Sequence, residues 1–260
     1  MAGYRRHVFH HGEERVRSLF PASMRASIFG TLGKYYPKAD WAPRPLRAKT
    51  TFLSLAREGY EGYSEAVGVT PPIMRERLYS DKMLRNIDGY SSEAHMHNLM
   101  QNAPARSGLD QAQYADMKMW LPGDILTKVD RASMGASLEA REPLLDHHLI
   151  EFAAKLPENM RVRRGQGKYL MKRTMERYLP DDILYRPKMG FVTPIAQWFR
   201  GPLADTARSI SSSSILQQSG YFDADMLTKL AEDHISGKSD NSRTLWQLVI
   251  LEKSMNKIFA

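Results

Sequence analysis

Few runs of this chain alternate apolar and polar residues as a half-buried strand would; apolar residues return instead at helical spacing. That scarcity constrains the fold most, because a chain poor in strands must bury its apolar stripes helix against helix. Helices are expected over residues 12–29, 51–58, 70–85, 91–100 and 110–120, with Asp110 and Gln111 marking a start. The segment 33–50, with Pro37, Pro43 and Pro45, reads as a connection. Farther on, helices are expected over 147–156, 168–178, 195–199, 203–210, 223–235 and 241–259. The serine-rich run 209–214 reads as a linker before the C-terminal helices, and residues 1–260 as a single domain.

Within this helical chain the stretch from Leu121 to Asp146 stands out. Asp124, after Pro122 and Gly123, has the chemistry of an N-cap, and Ile125, Leu126, Val129, Ala132 and Met134 supply an apolar face. Asp124 and Lys128 are four residues apart and share a helix face; Asp130, Arg131, Glu139 and Arg141 crowd the same region. Taken alone, this is a solvated face with weak helix ion pairs. Charges so tightly interleaved with apolar residues also predict a partly buried polar network, which persists only if paired or used. Pro143 ends the stretch, and Asp146 is placed to cap the helix that follows.

The order Leu-Pro-Gly-Asp-Ile-Leu-Thr-Lys-Val-Asp-Arg-Ala-Ser-Met, then Leu-Glu-Ala-Arg-Glu-Pro-Leu-Leu-Asp, resembles the synthetase domain of glutamine-dependent asparagine synthetases. The resemblance continues through Gly167-Lys168, Leu179-Pro180 and Arg186-Pro187-Lys188-Met189-Gly190-Phe191, then Pro194 and Trp198. It runs from Ala2 to the C-terminus and is weakest between Gly30 and Asp110. It implies the helical C-terminal portion of an α/β ATP-pyrophosphatase domain, mainly α here, lacking most of the nucleotide-binding sheet. Ala2-Gly3-Tyr4 resembles the end of the family run Gly-Asp-Gly-Gly-Asp-Glu-Leu-Phe-Ala-Gly-Tyr. The acids of that run, which in the family serve magnesium, ATP phosphates and aspartate activation, fall outside this chain.

The chemistry implied is activation of the aspartate side chain by ATP as an acyl-adenylate, then attack by ammonia from an N-terminal glutaminase domain. Such a reaction needs cations on the phosphorus centre and acids on the amino group and metal. By the resemblance, Lys188 is the catalytic cation, and Asp124 and Lys128 hold the substrate. Asp130, Arg131, Glu139, Arg141 and Lys168 form a supporting ion network. No metal ligands are assigned. The family's pyrophosphate loop, Ser-Gly-Gly-x-Asp-Ser, has no match, and Gly165-Gln166-Gly167-Lys168 lacks the following Ser or Thr and reads as a turn feeding a helix. ATP and Mg2+ therefore belong to the full-length family, with no tight binding expected of this chain alone. Its partners are aspartate or another carboxylate, and a phosphate-loop and glutaminase segment in cis or as a separate chain.

Two rival classes stand beside this ligase reading: a non-catalytic helical interaction module, and an amidotransferase acting on another carboxylate. A third, nucleic-acid binding, has only the formal charge of +8 behind it; the basic residues are scattered and no binding motif accompanies them. The chain has no cysteine, which excludes disulfides and thiolate-held metals. The histidines His7, His10, His11, His95, His97, His147 and His148 read as exposed residues beside acids rather than metal pairs. With no apolar run approaching the roughly 20 residues of a bilayer span, and no secretory leader pattern, a cytoplasmic protein is expected.

Overall fold

The computed structural model describes residues 2–37, 48–187 and 193–259. It is mainly α-helical, as the scarcity of strand-like runs predicts. In chain order the helices are α1 (Arg5–Arg17), α2 (Ala22–Tyr35), α3 (Lys49–Leu55), α4 (Gly59–Val67), α5 (Pro72–Leu78) and α6 (Asp81–Ile87). Then come α7 (Ser92–Gln101), α8 (Gly108–Lys118), α9 (Thr127–Met134), α10 (His147–Lys155), α11 (Glu158–Arg161) and α12 (Tyr169–Met175). The last are α13 (Asp181–Leu184), α14 (Ile195–Arg200), α15 (Ala204–Ser212), α16 (Ser214–Ser219), α17 (Ala224–Ile235) and α18 (Ser242–Phe259). Among the described residues the one sheet is a hairpin of β1 (Val162–Arg163) and β2 (Gln166–Gly167), antiparallel with Arg163 opposite Gln166.

These elements fall into two compact units. One comprises Met1–Val67 with Ser91–Pro187, the other Gly68–Tyr90 with Lys188–Ala260. In the first, α1, α4, α7 and α8 pack around Tyr63, Met96, Met100, Ala112 and Ala115. The small residues of α8 let its neighbours approach closely. A satellite cluster of Ala2, Leu109 and Val162 joins the start of the chain to α8 and the hairpin. The helix expected over 12–29 is two helices: α1 starts at Arg5, and Pro21, extended at ψ 153, caps α2 instead of continuing α1. Proline disfavours helical backbone in the residue before it, which breaks the run there.

In the second unit α14, α15, α17 and α18 enclose Phe199, Ile210, Leu227, Leu230 and Leu245. His234 is fully buried among them; its Nε2 donates to the Ala196 carbonyl and its Nδ1 accepts from the Asn241 amide. Asp223 caps α17 by accepting from the Met226 amide. Ser209 to Ser212 of the expected linker are helical instead, closing α15. Ala207 and Ile210 draw that helix into the core, and the hydroxyls of Ser209, Ser211 and Ser212 each bond to a carbonyl three residues back. Serines satisfied in this way tolerate a helix end.

Candidate functional site

Asp124 does not start a helix. The chain leaves α8 through a π-helical turn, Leu121–Leu126, and Asp124 sits inside it. Pro122 has no N–H and crowds the preceding turn, and a widened turn absorbs both defects. Thr127 Oγ1 then bonds the Pro122 carbonyl at 2.7 Å, linking the turn to α9. Asp146, by contrast, caps α10 through the Leu149 amide as its sequence position predicts.

Asp124 is half-buried, Lys128 is exposed, and the two form no ion pair with each other. Asp130 pairs with its neighbour Arg131 at 3.8 Å, and Glu139 with Arg141 at 2.9 Å. The side chains of Arg131 and Arg141 remain 84% and 83% exposed. The partly buried network expected here is thus two separate surface pairs. Adjacent or near-adjacent residues meet in solvent without closing a core over them, and each such pair is worth about 0–1 kcal/mol. Lys188 lies outside the described residues.

The buried polar network lies on α1 instead. His7, His10 and Arg17 recur at helical spacing on the face turned toward α4, α8 and α3. One oxygen of Asp116 on α8 receives donors from three residues: Arg6, through Nη2 at 2.8 Å and Nε at 3.2 Å, His7 Nε2 at 2.8 Å and the Tyr63 hydroxyl at 2.9 Å. Burial alone would raise the Asp116 carboxyl, but the His7 hydrogen bond and the Arg6 charge outweigh it and hold the group below the usual carboxylate range. Burial, then the adjacent Asp116 charge, pushes the Tyr63 phenol up. Arg6 also lies 4.6 Å from both the Tyr4 and Trp120 rings, so one guanidinium ties the chain's start to the entrance of the π-helical turn.

His10 donates from Nε2 to the Gly108 carbonyl at 3.1 Å, while its Nδ1 is buried without a partner. Burial lowers its pKa from 6.5 to about 4, against the pull of Glu14, so the ring is neutral at pH 7. The expectation that the histidines are exposed therefore fails for His7 and His10, at 5% and 3% exposure. Arg17 completes the face by donating to Glu13, Glu14 and both the hydroxyl and carbonyl of Ser54.

Lys168 lies against the start of the chain. It adopts the left-handed conformation (φ 57, ψ 31) just before α12, and its alkyl stem lies against Gly3 so closely that a β-carbon there would collide with it. A β-carbon on Gly167 would strike the Ala2 carbonyl. Two glycines thus let the hairpin backbone and the Lys168 stem lie on the N-terminal segment. Arg161, 3% exposed, fastens this region to α8 through Asp110 and, at 2.6 Å, Gln113. A partial signal existed in the sequence: Asp116 falls on the same helical face as Leu109, Ala112 and Ala115, where an acid must have partners.

The profile of the family described as asparagine synthase matches residues 1–256. Over 144 residues the chain is 37% identical to asparagine synthetase [glutamine-hydrolyzing] 1 of Bacillus subtilis (strain 168), a match covering 55% of this chain and 22% of that protein. Asparagine synthetase [glutamine-hydrolyzing] 3 of the same organism is 34% identical over 125 residues, 45% of this chain and 20% of its own length. A longer, weaker match is to amidase chry2 of Gibberella zeae, 24% identical over 223 residues, covering 81% of this chain and 31% of that protein. The chain thus matches about a fifth to a third of the length of these relatives. No solved structure matches.

Proposed function

The chain belongs to the asparagine synthase family, and from that premise we propose that it forms the helical part of an ATP-dependent amidoligase. In this reading the carboxylate of aspartate attacks the α-phosphorus of ATP and displaces pyrophosphate. Ammonia then attacks the acyl carbon and displaces AMP. Lys188 supplies the cation beside the reacting phosphate and carboxylate, and Asp124 and Lys128 hold the substrate's amino and carboxylate groups. An ammonium fixed in a site shielded from water stabilises charge that develops only in the transition state.

The observation that carries the reading is the family match over 1–256. Geometry supports it at one point: Lys168 and Gly167 pack on Ala2 and Gly3, the residues that resemble the end of the family's acidic motif. Among the described residues no three His, Asp or Glu side chains converge to hold a metal ion, so no step through Mg2+ is assigned to them. No described helix is long and apolar enough to cross a membrane.

The test is aspartate-dependent release of pyrophosphate from ATP. The 260 residues contain no Ser-Gly-Gly-x-Asp-Ser run, and the purified chain is expected to release none. Adding a family segment that contains that run and the Gly-Asp-Gly-Gly-Asp-Glu motif should produce release, and Lys188→Ala should abolish it. Release by the unaided chain, or full activity in the Lys188 variant, overturns the assignment. A second reading, a partner-binding helical surface, is favoured by one observation: Leu138, Leu144 and Phe152 are 63%, 60% and 55% exposed within a short span.

A further inference from the structure

The hairpin that follows α11 opens onto a cavity of about 340 Å³ lined by Arg163, Arg164, Gln166, Tyr169, Arg173 and Tyr185. Its size falls within the roughly 300–1,000 Å³ of small-molecule sites. Three of its six lining residues carry guanidinium groups. Arg173 is neutralised by Glu176, which it meets at 2.7 Å and which also accepts from the Tyr185 hydroxyl. Arg163 donates to the Tyr169 hydroxyl at 2.6 Å and lies 5.0 Å from that ring. Neither Arg163 nor Arg164 has a carboxylate partner among the described residues. Among the described residues, two positive charges therefore line the cavity without an acid to balance them.

The backbone adds a second observation. Arg164 (φ 51) and Gly165 (φ 75) are both left-handed, forming the two-residue turn between paired Arg163 and Gln166. Asn, Asp or Gly meets the first position of such a turn with less strain, yet an arginine occupies it. The tight turn sets the backbone from which both arginines line the cavity, and the antiparallel pairing places Gln166, an amide donor, across from Arg163.

We propose that this cavity binds a phosphate-bearing small molecule, with Arg163 and Arg164 on the phosphate and Tyr169 and Tyr185 against its organic part. Guanidinium forks suit phosphate oxygens, which they bind through paired, charge-assisted hydrogen bonds. The proposal is independent of the ligase reading, because phosphate binding by this chain stands or falls whether or not it ever joins a carboxylate to ammonia.

Calorimetry on the 260-residue chain at low salt, with inorganic phosphate and phenyl phosphate as probes, tests it. Arg164→Gly suits the turn and should not unfold the hairpin, so its effect on binding is separable from folding. It is expected to weaken both probes at least tenfold, as is Arg163→Gln, whereas Arg15→Ala, the same charge change on an exposed part of α1, should leave affinity unchanged. Tighter binding of phenyl phosphate than of phosphate assigns the tyrosines to the organic part. Absence of binding by both probes at millimolar concentration overturns the proposal. So does equal weakening by Arg15→Ala, which would mean that net charge alone attracts the anion, and so does a tight complex that survives both cavity variants.

Discussion

Two parts of the first unit carry dense charge and use it in opposite ways. From Leu121 to Asp146 the acids and bases are numerous in sequence but mostly lie in solvent, and among the described residues the ion pairs there join near neighbours, Asp130 with Arg131 and Glu139 with Arg141. On α1 the charges look unremarkable in sequence, yet Arg6, His7 and Arg17 converge on buried or half-buried partners from α8, α4 and α3. Proximity along the chain makes an ion pair; only an apolar wall behind it gives the pair energetic weight. The largest expected effect follows. Asp116→Ala leaves Arg6, His7 and Tyr63 facing a buried void where a carboxylate stood, and removal of one partner from such a set costs roughly 3–5 kcal/mol. Urea unfolding should show that loss. A midpoint within error of the parent would mean that α1 does not depend on the cluster and would erase the contrast.

Acid sharpens the same comparison. The unfolded chain takes up a proton on His10 near pH 6.5, the folded one only near 4. Between those values the unfolded state binds more protons, so stability falls as pH falls, by roughly 3 kcal/mol if the whole shift is expressed. Asp116, held below its ordinary range, contributes stability at neutral pH that is lost at still lower pH, as it is protonated in the fold. His10→Gln keeps a donor for the Gly108 carbonyl and should flatten the profile between pH 6.5 and 4. An unchanged slope in that variant would place the acid sensitivity elsewhere.

The helical class was legible in the sequence because apolar spacing decides it, and the cap at Asp146 was legible because it needs only a local acceptor. What could not be read was anything set by tertiary partners. His7 and His10 look like surface residues until Asp116 arrives 109 positions after His7 and Tyr63 packs on His10 from farther along the chain. The serine run failed as a linker because Ala207 and Ile210 bury α15 regardless of its polar end. Of the site residues, Lys168 is found against the N-terminal segment, Asp124 and Lys128 stand apart on the π-helical turn and α9, and Lys188 is outside the described residues. Gly167 gives a test of that packing. Its alanine variant must displace the Ala2 backbone, and close-packed interiors resist such insertions by about 1–3 kcal/mol. Alanine at Gly123, where nothing lies within 4 Å, supplies the control.

The smallest effect bears directly on how charge density should be read. Glu139 and Arg141 meet at 2.9 Å with both side chains more than two-thirds exposed. Solvent screens their attraction, and holding two long side chains in one geometry consumes part of what remains. A double-mutant cycle of Glu139→Ala and Arg141→Ala is expected to return a coupling of at most ~0.5 kcal/mol, shrinking further in high salt. The same cycle on Arg6 and Asp116 should return several times that value and respond weakly to salt, because a buried pair is screened much less. Equal couplings at the two sites would show that solvent exposure does not separate the two regions; in that case the exposed stretch would have to be reread as a working ion network.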